Sequence, residues 1–220
     1  MRRIRQLFSS PIKAPTVPPV FAAPGGVRLY AVGDIHGRSK LLAKMLTAIE
    51  ADARTSTSGK IIEVFLGDYV DRGMHTREVI DLLLAPPANG HERICLKGNH
   101  EEVLLRFLDD PRGLREWGSF GGYATLASYG IPIPASMSPA ILAGVQGSLQ
   151  KNLPTEHQAF LRNLRLTYQA GDYLFVHAGI HPKLPIHEQK SEHLLWIRDT
   201  FLNHTGFFDA YVVHGHSPHR

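Results

Sequence analysis

From Val27 onward, apolar runs of strand length alternate with stretches whose apolar residues recur at helical spacing. Val27 to Val32 reads as a strand. Lys40 to Ala53 reads as a helix, with Leu41, Leu42, Met45, Leu46 and Ile49 at that spacing. Ile61 to Leu66 is a second strand, and Thr76 to Leu84 a second helix stopped by Pro86-Pro87. Arg93 to Leu96 is a third strand, and Glu102 to Leu108 a helix with Val103, Leu104 and Phe107 on one side. Alternation of this kind predicts an α/β fold with a layered sheet.

The rhythm breaks between Asp109 and Leu153, where Trp117 to Gly122, Thr125 to Gly130, Pro132 and Pro134 read as a helical insertion whose loops cap the active site. Thr155 is the expected N-cap of a further helix running to about Leu164. Leu166 to Ala170 and Tyr173 to Val176 form a hairpin around Gly171-Asp172. Its second strand delivers His177-Ala178-Gly179, and Ala210 to Val213 delivers His214-Gly215-His216. No internal repeat is present.

Residues 1–26 hold Arg2, Arg3, Arg5 and Lys13, no acid, and five prolines, which predicts an extended, flexible basic tail. No apolar h-region follows the arginines, so a secretory signal is disfavoured. The tail accounts for the whole net charge of +4, because the other 20 basic residues balance 20 acidic ones. A neutral body argues against a nucleic-acid-binding face. No apolar run reaches about 20 residues, so no stable membrane insertion is expected. The single cysteine, Cys95, reads as a buried small residue and excludes an intrachain disulfide; a reducing, cytoplasmic location is the default.

The chemistry gathers where apolar runs end. Asp34 and His36 follow the first strand, Asp68, Asp71 and Arg72 the second, and Asn99 and His100 the third. His177 and His216 follow later runs, and Arg198 lies in Trp196-Ile197-Arg198-Asp199. Asp, His and Asn suit hard-to-borderline divalent ions, and ligands from five strand ends allow a two-metal centre with ions about 3.5–4 Å apart. Arginines beside such a centre grip phosphate oxygens.

Gly33-Asp34-Ile35-His36-Gly37, Gly67-Asp68-Tyr69-Val70-Asp71-Arg72-Gly73 and Gly98-Asn99-His100-Glu101 resemble the three signatures of the phosphoprotein phosphatase family, within the calcineurin-like metallophosphoesterases. His177-Ala178-Gly179, Trp196 to Asp199 and Gly215-His216 occur in that family's order, so the resemblance spans residues 28–219. It implies two β-sheets flanked by helices, with a helical cap insertion at about 109–153. It implies that Asp34 and His36 hold one ion, that Asp68 bridges both, and that Asn99, His177 and His216 hold the second. Manganese is the expected metal, with iron or zinc as alternatives. Arg72, Arg198 and Asn99 are then expected to bind the substrate phosphate, and a metal-bridging hydroxide to attack it directly. His100 would protonate the leaving oxygen, with Asp71 orienting its ring. His214 would flank the site, and His219 would be peripheral.

The function so implied is metal-dependent hydrolysis of phosphoserine or phosphothreonine in proteins or peptides, of the bacterial type. The family's symmetrical diadenosine tetraphosphate hydrolases are the alternative; they typically carry Ala in place of Asp71 and Asp in place of Glu101. An alternative of another class is a catalytically impaired phosphoprotein-binding protein. Phe120 departs from the pattern, since Asn often precedes the Gly pair. Relatives usually continue past the last histidine with further strands. The resemblance therefore implies a 27–220 metallophosphoesterase domain lacking the last strands, with an exposed sheet edge.

Overall fold

A computed structural model describes residues 20–134 and 136–218. Its first sheet has the order β1-β2-β3, all parallel, from Val27–Val32, Lys60–Phe65 and Glu92–Cys95. Helices α1 (Ser39–Ala53) and α2 (Thr76–Leu84) connect these strands, as the alternation predicts. A second sheet has the order β4-β5-β6, from Thr167–Ala170, Tyr173–Val176 and Tyr211–Val213. Here β4 and β5 form the expected antiparallel hairpin, and β6 joins β5 in parallel. This is an α/β arrangement of two sheets flanked by helices.

Alternating side chains explain the layers. Ile62 and Val64 of β2 face Phe175 of β5 between the sheets, while Phe65 turns to the helical side. Leu174 and Val176 point the other way, into a third cluster with Leu194 and Phe201. Glu63 also faces the helical side, where a bare buried carboxylate would be costly. It is paired instead, accepting from Arg93 Nε at 2.9 Å and lying 2.9 Å from His91 Nδ1. Arg93 in turn donates to the carbonyls of Leu82, Leu83 and Ala85, closing the C-terminal end of α2.

Helix α3 (Asn99–Asp109) starts three residues before the expected Glu102, so Asn99 and His100 sit in its first turn. The insertion after it is helical: α4 (Leu114–Ser119), α5 (Gly122–Ser128) and α6 (Pro139–Asn152). Gln146 and Gln150 of α6 donate to the carbonyls of Phe107 and Leu108, which satisfies the last turn of α3. Helix α7 (Thr155–Arg162) follows; Pro154, not Thr155, takes its cap position. Two short helices, α8 (Ser191–Trp196) and α9 (Asp199–Leu202), precede β6.

Other expectations change. On α1, Leu41 and Met45 are exposed, and only Leu42, Ile49 and Ala53 are buried, because the helix rests on the sheet along a narrow stripe. Cys95 is half-buried rather than buried, and desolvation pushes its thiol up to about 12. Within the expected tail, residues 20–26 lie on the domain: Ala22 donates to Asp172 Oδ2 at 3.0 Å, and Phe21 meets Tyr211 edge-on. Residues 1–19 and His219 lie outside the described residues. Among the described residues, no helix is long and apolar enough to cross a membrane.

Candidate metal centre

Apart from Arg198, which lies between α8 and α9, the expected site residues follow the C-terminal ends of β1, β2, β3, β5 and β6, and close backbone contacts lock the first three of these loops together. Asp68 O accepts the N–H groups of Ile35 at 2.9 Å and His36 at 2.8 Å, joining the first loop to the second. Gly37 and Gly73 pack backbone to backbone, so a Cβ on either would enter the other. Glu101 joins the second loop to the third. Fully buried, it accepts from Gly98 N at 2.8 Å, Asp68 N at 2.9 Å, Tyr69 N at 2.7 Å and Val70 N at 3.2 Å. Its position suits a helix dipole, but the side chain does more: it organises the turn that presents Asp68.

Backbone strain gathers at the same place. Among the described residues, the non-glycine residues at positive φ are His36, Asp68, Asp71, Arg72, His216 and one remote residue, Asn89. Such conformations cost about 1–3 kcal/mol each and persist where surroundings over-determine them.

Two groups of donors converge. Donor atoms of His36, Asp68 and His100 lie within 4.8 Å of one another, as do those of Asp68, His177 and His216. His36 donates Nδ1–H to Val70 O at 2.9 Å, leaving Nε2 facing Asp68 Oδ2 at 3.6 Å. That nitrogen is buried with no hydrogen-bond partner, as is His216 Nε2. His177 donates Nδ1–H to Leu66 O at 2.9 Å, so its Nε2 lone pair faces Asn99 Oδ1 at 3.0 Å and Asp68 Oδ1 at 3.4 Å. His216 Nδ1 lies 3.0 Å from the same amide oxygen. Lone pairs facing one another around a shared carboxylate repel unless a cation lies between them, so these residues fit a pair of divalent ions.

Electrostatics agree. Burial lowers His36, and pushes His177 down to about 4 and His216 down to about 3, keeping the imidazoles in the neutral form that binds metal. Asp68 is pushed well above its usual value by burial, then by the carboxylates of Glu101 and Asp34.

Asp34 and Arg198 stand apart from the two groups. Asp34 is exposed, and its Oδ1 accepts the backbone N–H of His216 at 3.1 Å. Arg198 is exposed too, close enough to help depress His216. His214 packs edge-on against Phe201. His100 donates Nδ1–H to Asp71 Oδ2 at 2.8 Å and accepts at Nε2 from Arg72 Nη2 at 3.1 Å. Burial pushes Asp71 up to about 7, against hydrogen bonds from Thr125 and Trp117, and His100 down to about 4.

Sequence reasoning missed the surroundings. Trp117 of the insertion is buried and donates to Asp71, as does Thr125. Phe120 meets His100 edge-on, with centroids 5.5 Å apart, and Trp196 stands against both Phe120 and His216, forming an aromatic wall. No local signal marks these residues. For Glu101, its place three residues after Gly98 at a helix start was the available hint.

The sequence profile of the calcineurin-like phosphoesterases matches residues 27–220. Over 77 residues, 34% of this chain, the sequence is 36% identical to the serine/threonine-protein phosphatase BSL2 of Arabidopsis thaliana. Over 78 residues, 35% of this chain, it is 41% identical to the PP2A-like serine/threonine-protein phosphatase PPG1 of Candida albicans. The matched stretches are 8% and 17% of those proteins' lengths. The fold is similar to the crystal structure of a candidate diadenosine tetraphosphatase. There the TM-score is 0.52 at 21% identity, over 89% of this chain and 77% of the other.

Proposed function

This chain belongs to the calcineurin-like phosphoesterase family, and from that premise we propose that it is a metal-dependent phosphomonoesterase acting on phosphoserine and phosphothreonine in proteins. The observation that carries the reading is His100, held between Asp71 and Arg72 within one of two donor groups that share Asp68. Asp34 and His36 would hold one ion, Asn99, His177 and His216 the other, and Asp68 both. Manganese is the expected occupant. When bound, such ions act as Lewis acids toward a phosphoryl oxygen and an attacking water.

The chain's own groups supply the rest. Arg72 is positioned to leave His100 for an arriving phosphate, since its fork of donors binds phosphate more strongly than a neutral imidazole. Arg198, at the exposed rim, meets the same anion. The Nε2 lone pair of His100 is then free to take a proton from water and pass it to the leaving oxygen, while Asp71 keeps the ring oriented through Nδ1–H. The phosphoprotein reading rests on the two named relatives and on Asp71 and Glu101, which stand where the dinucleotide hydrolases typically carry Ala and Asp.

The test is turnover of a phosphoserine peptide, p-nitrophenyl phosphate and diadenosine tetraphosphate, with and without added Mn²⁺. Metal-dependent preference for the peptide is expected. Preferential cleavage of the dinucleotide would replace the substrate assignment, and no turnover of any of the three would leave a phosphoprotein-binding role.

A further inference from the structure

We propose that Trp117 and Thr125, carried by the helical insertion, are positioning residues. They hold the Asp71 carboxylate in the orientation that aligns His100 for proton delivery, an inference that rests on the reading of His100 as the proton donor. Asp71 is fully buried, and each of its oxygens is engaged. Oδ1 accepts from Thr125 Oγ1 at 2.8 Å and from Trp117 Nε1 at 3.0 Å. Oδ2 accepts from His100 Nδ1 at 2.8 Å and lies 3.1 Å from the same indole nitrogen.

Thr125 also accepts the backbone N–H of Asp71 at 2.9 Å. Its one hydroxyl proton is committed to Asp71, so Thr76 Oγ1, 3.2 Å away, donates to it. A carboxylate held by three side-chain donors cannot turn about its last torsion. The support is itself rigid: Trp117 stacks on Phe107 with centroids 5.0 Å apart, and a Cβ on Gly122 would stand 2.5 Å from the indole. Gly121 O accepts the N–H of Arg72 at 3.2 Å, so the insertion holds both consecutive left-handed residues, Asp71 at φ 69° and Arg72 at φ 63°. The segment expected only to cap the site thus also supports its proton-carrying pair.

Two readouts test this on Zn²⁺-loaded wild type, Trp117→Phe, Thr125→Val and Thr125→Ser, each checked for native circular dichroism. The first is the His100 tautomer by nitrogen NMR, which does not depend on turnover. Wild type and Thr125→Ser are expected to show Nδ1–H alone, and the other two variants a mixture with Nε2–H. An unchanged tautomer in both Trp117→Phe and Thr125→Val overturns the inference. The second is kcat on phenyl phosphate relative to p-nitrophenyl phosphate, because the poorer leaving group depends more on a proton donor. The ratio is expected to fall about tenfold in those two variants, with KM within about twofold, and to survive in Thr125→Ser. A shifted tautomer with an unchanged ratio upholds the positioning and overturns His100 as the donor.

Discussion

Arg72 donates to the one nitrogen of His100 that Asp71 does not occupy, Nη2 to Nε2 across 3.1 Å. The imidazole is therefore neutral, with its only proton on Nδ1 and directed at Asp71. The guanidinium that covers the acid position is also the group best suited to grip a phosphate. On the proposed mechanism, one movement of the Arg72 side chain would both bind the phosphate and expose Nε2.

His100 sits in a donor group with His36 and Asp68 yet is assigned to proton transfer, and His100→Asn separates the two roles. We expect kcat to fall by about 10²–10⁴-fold, the range for loss of a general acid, with metal content unchanged. Elemental analysis beside the kinetics decides: equal loss of metal and activity would make His100 a ligand.

Asp68→Asn should act on stability with opposite signs in the two metal states. Without metal, burial and the carboxylates of Glu101 and Asp34 work against an ionised Asp68, so the amide raises Tm. With Mn²⁺ the proposed shared ligand would be lost and Tm should fall. Thermal scans in chelator and in Mn²⁺ measure both, at about 2–4 °C per kcal/mol for a chain of this size.

His216 sets a pH dependence whose direction can be worked out. Burial pushes its folded value down to about 3, against 6.5 for the free side chain. Above 6.5 neither state binds the proton; between 6.5 and 3 the unfolded chain binds it and the folded chain does not, so this residue's contribution to stability declines as pH falls. Relative to wild type in chelator, His216→Asn should therefore gain Tm steadily from pH 7 toward pH 4. A constant difference would show that the imidazole is not desolvated.

Glu101→Gln replaces one acceptor oxygen by an amide that faces backbone N–H donors. Loss of those bonds inside a dry site should cost about 1–3 kcal/mol, read from denaturant midpoints. Metal affinity should weaken as well, because the turn presenting Asp68 loosens; isothermal titration with Mn²⁺ measures it.

Much of the fold was legible because periodicity is a local property. Val27 to Val32 and Thr76 to Leu84 appear at the expected bounds, and the hairpin around Gly171-Asp172 forms as read. The outward Leu41 and Met45 were not legible, since which stripe of a helix is buried depends on the sheet beneath it. Residues 20–26 were read from composition alone, which carries no information about the Ala22 and Asp172 contact.

The sequence by itself determined that Asp, His and Asn would stand at strand ends, because apolar runs emptying into such residues place them at one edge of a parallel sheet. Tertiary structure decided how they are held. Glu101 reaches back across 33 positions to Asp68, and Thr125 across 54 positions to Asp71. Trp117 reaches the same carboxylate across 46 positions. Hydrogen bonds of that separation leave no period and no local composition in a chain; they exist only once packing brings their partners within about 3 Å.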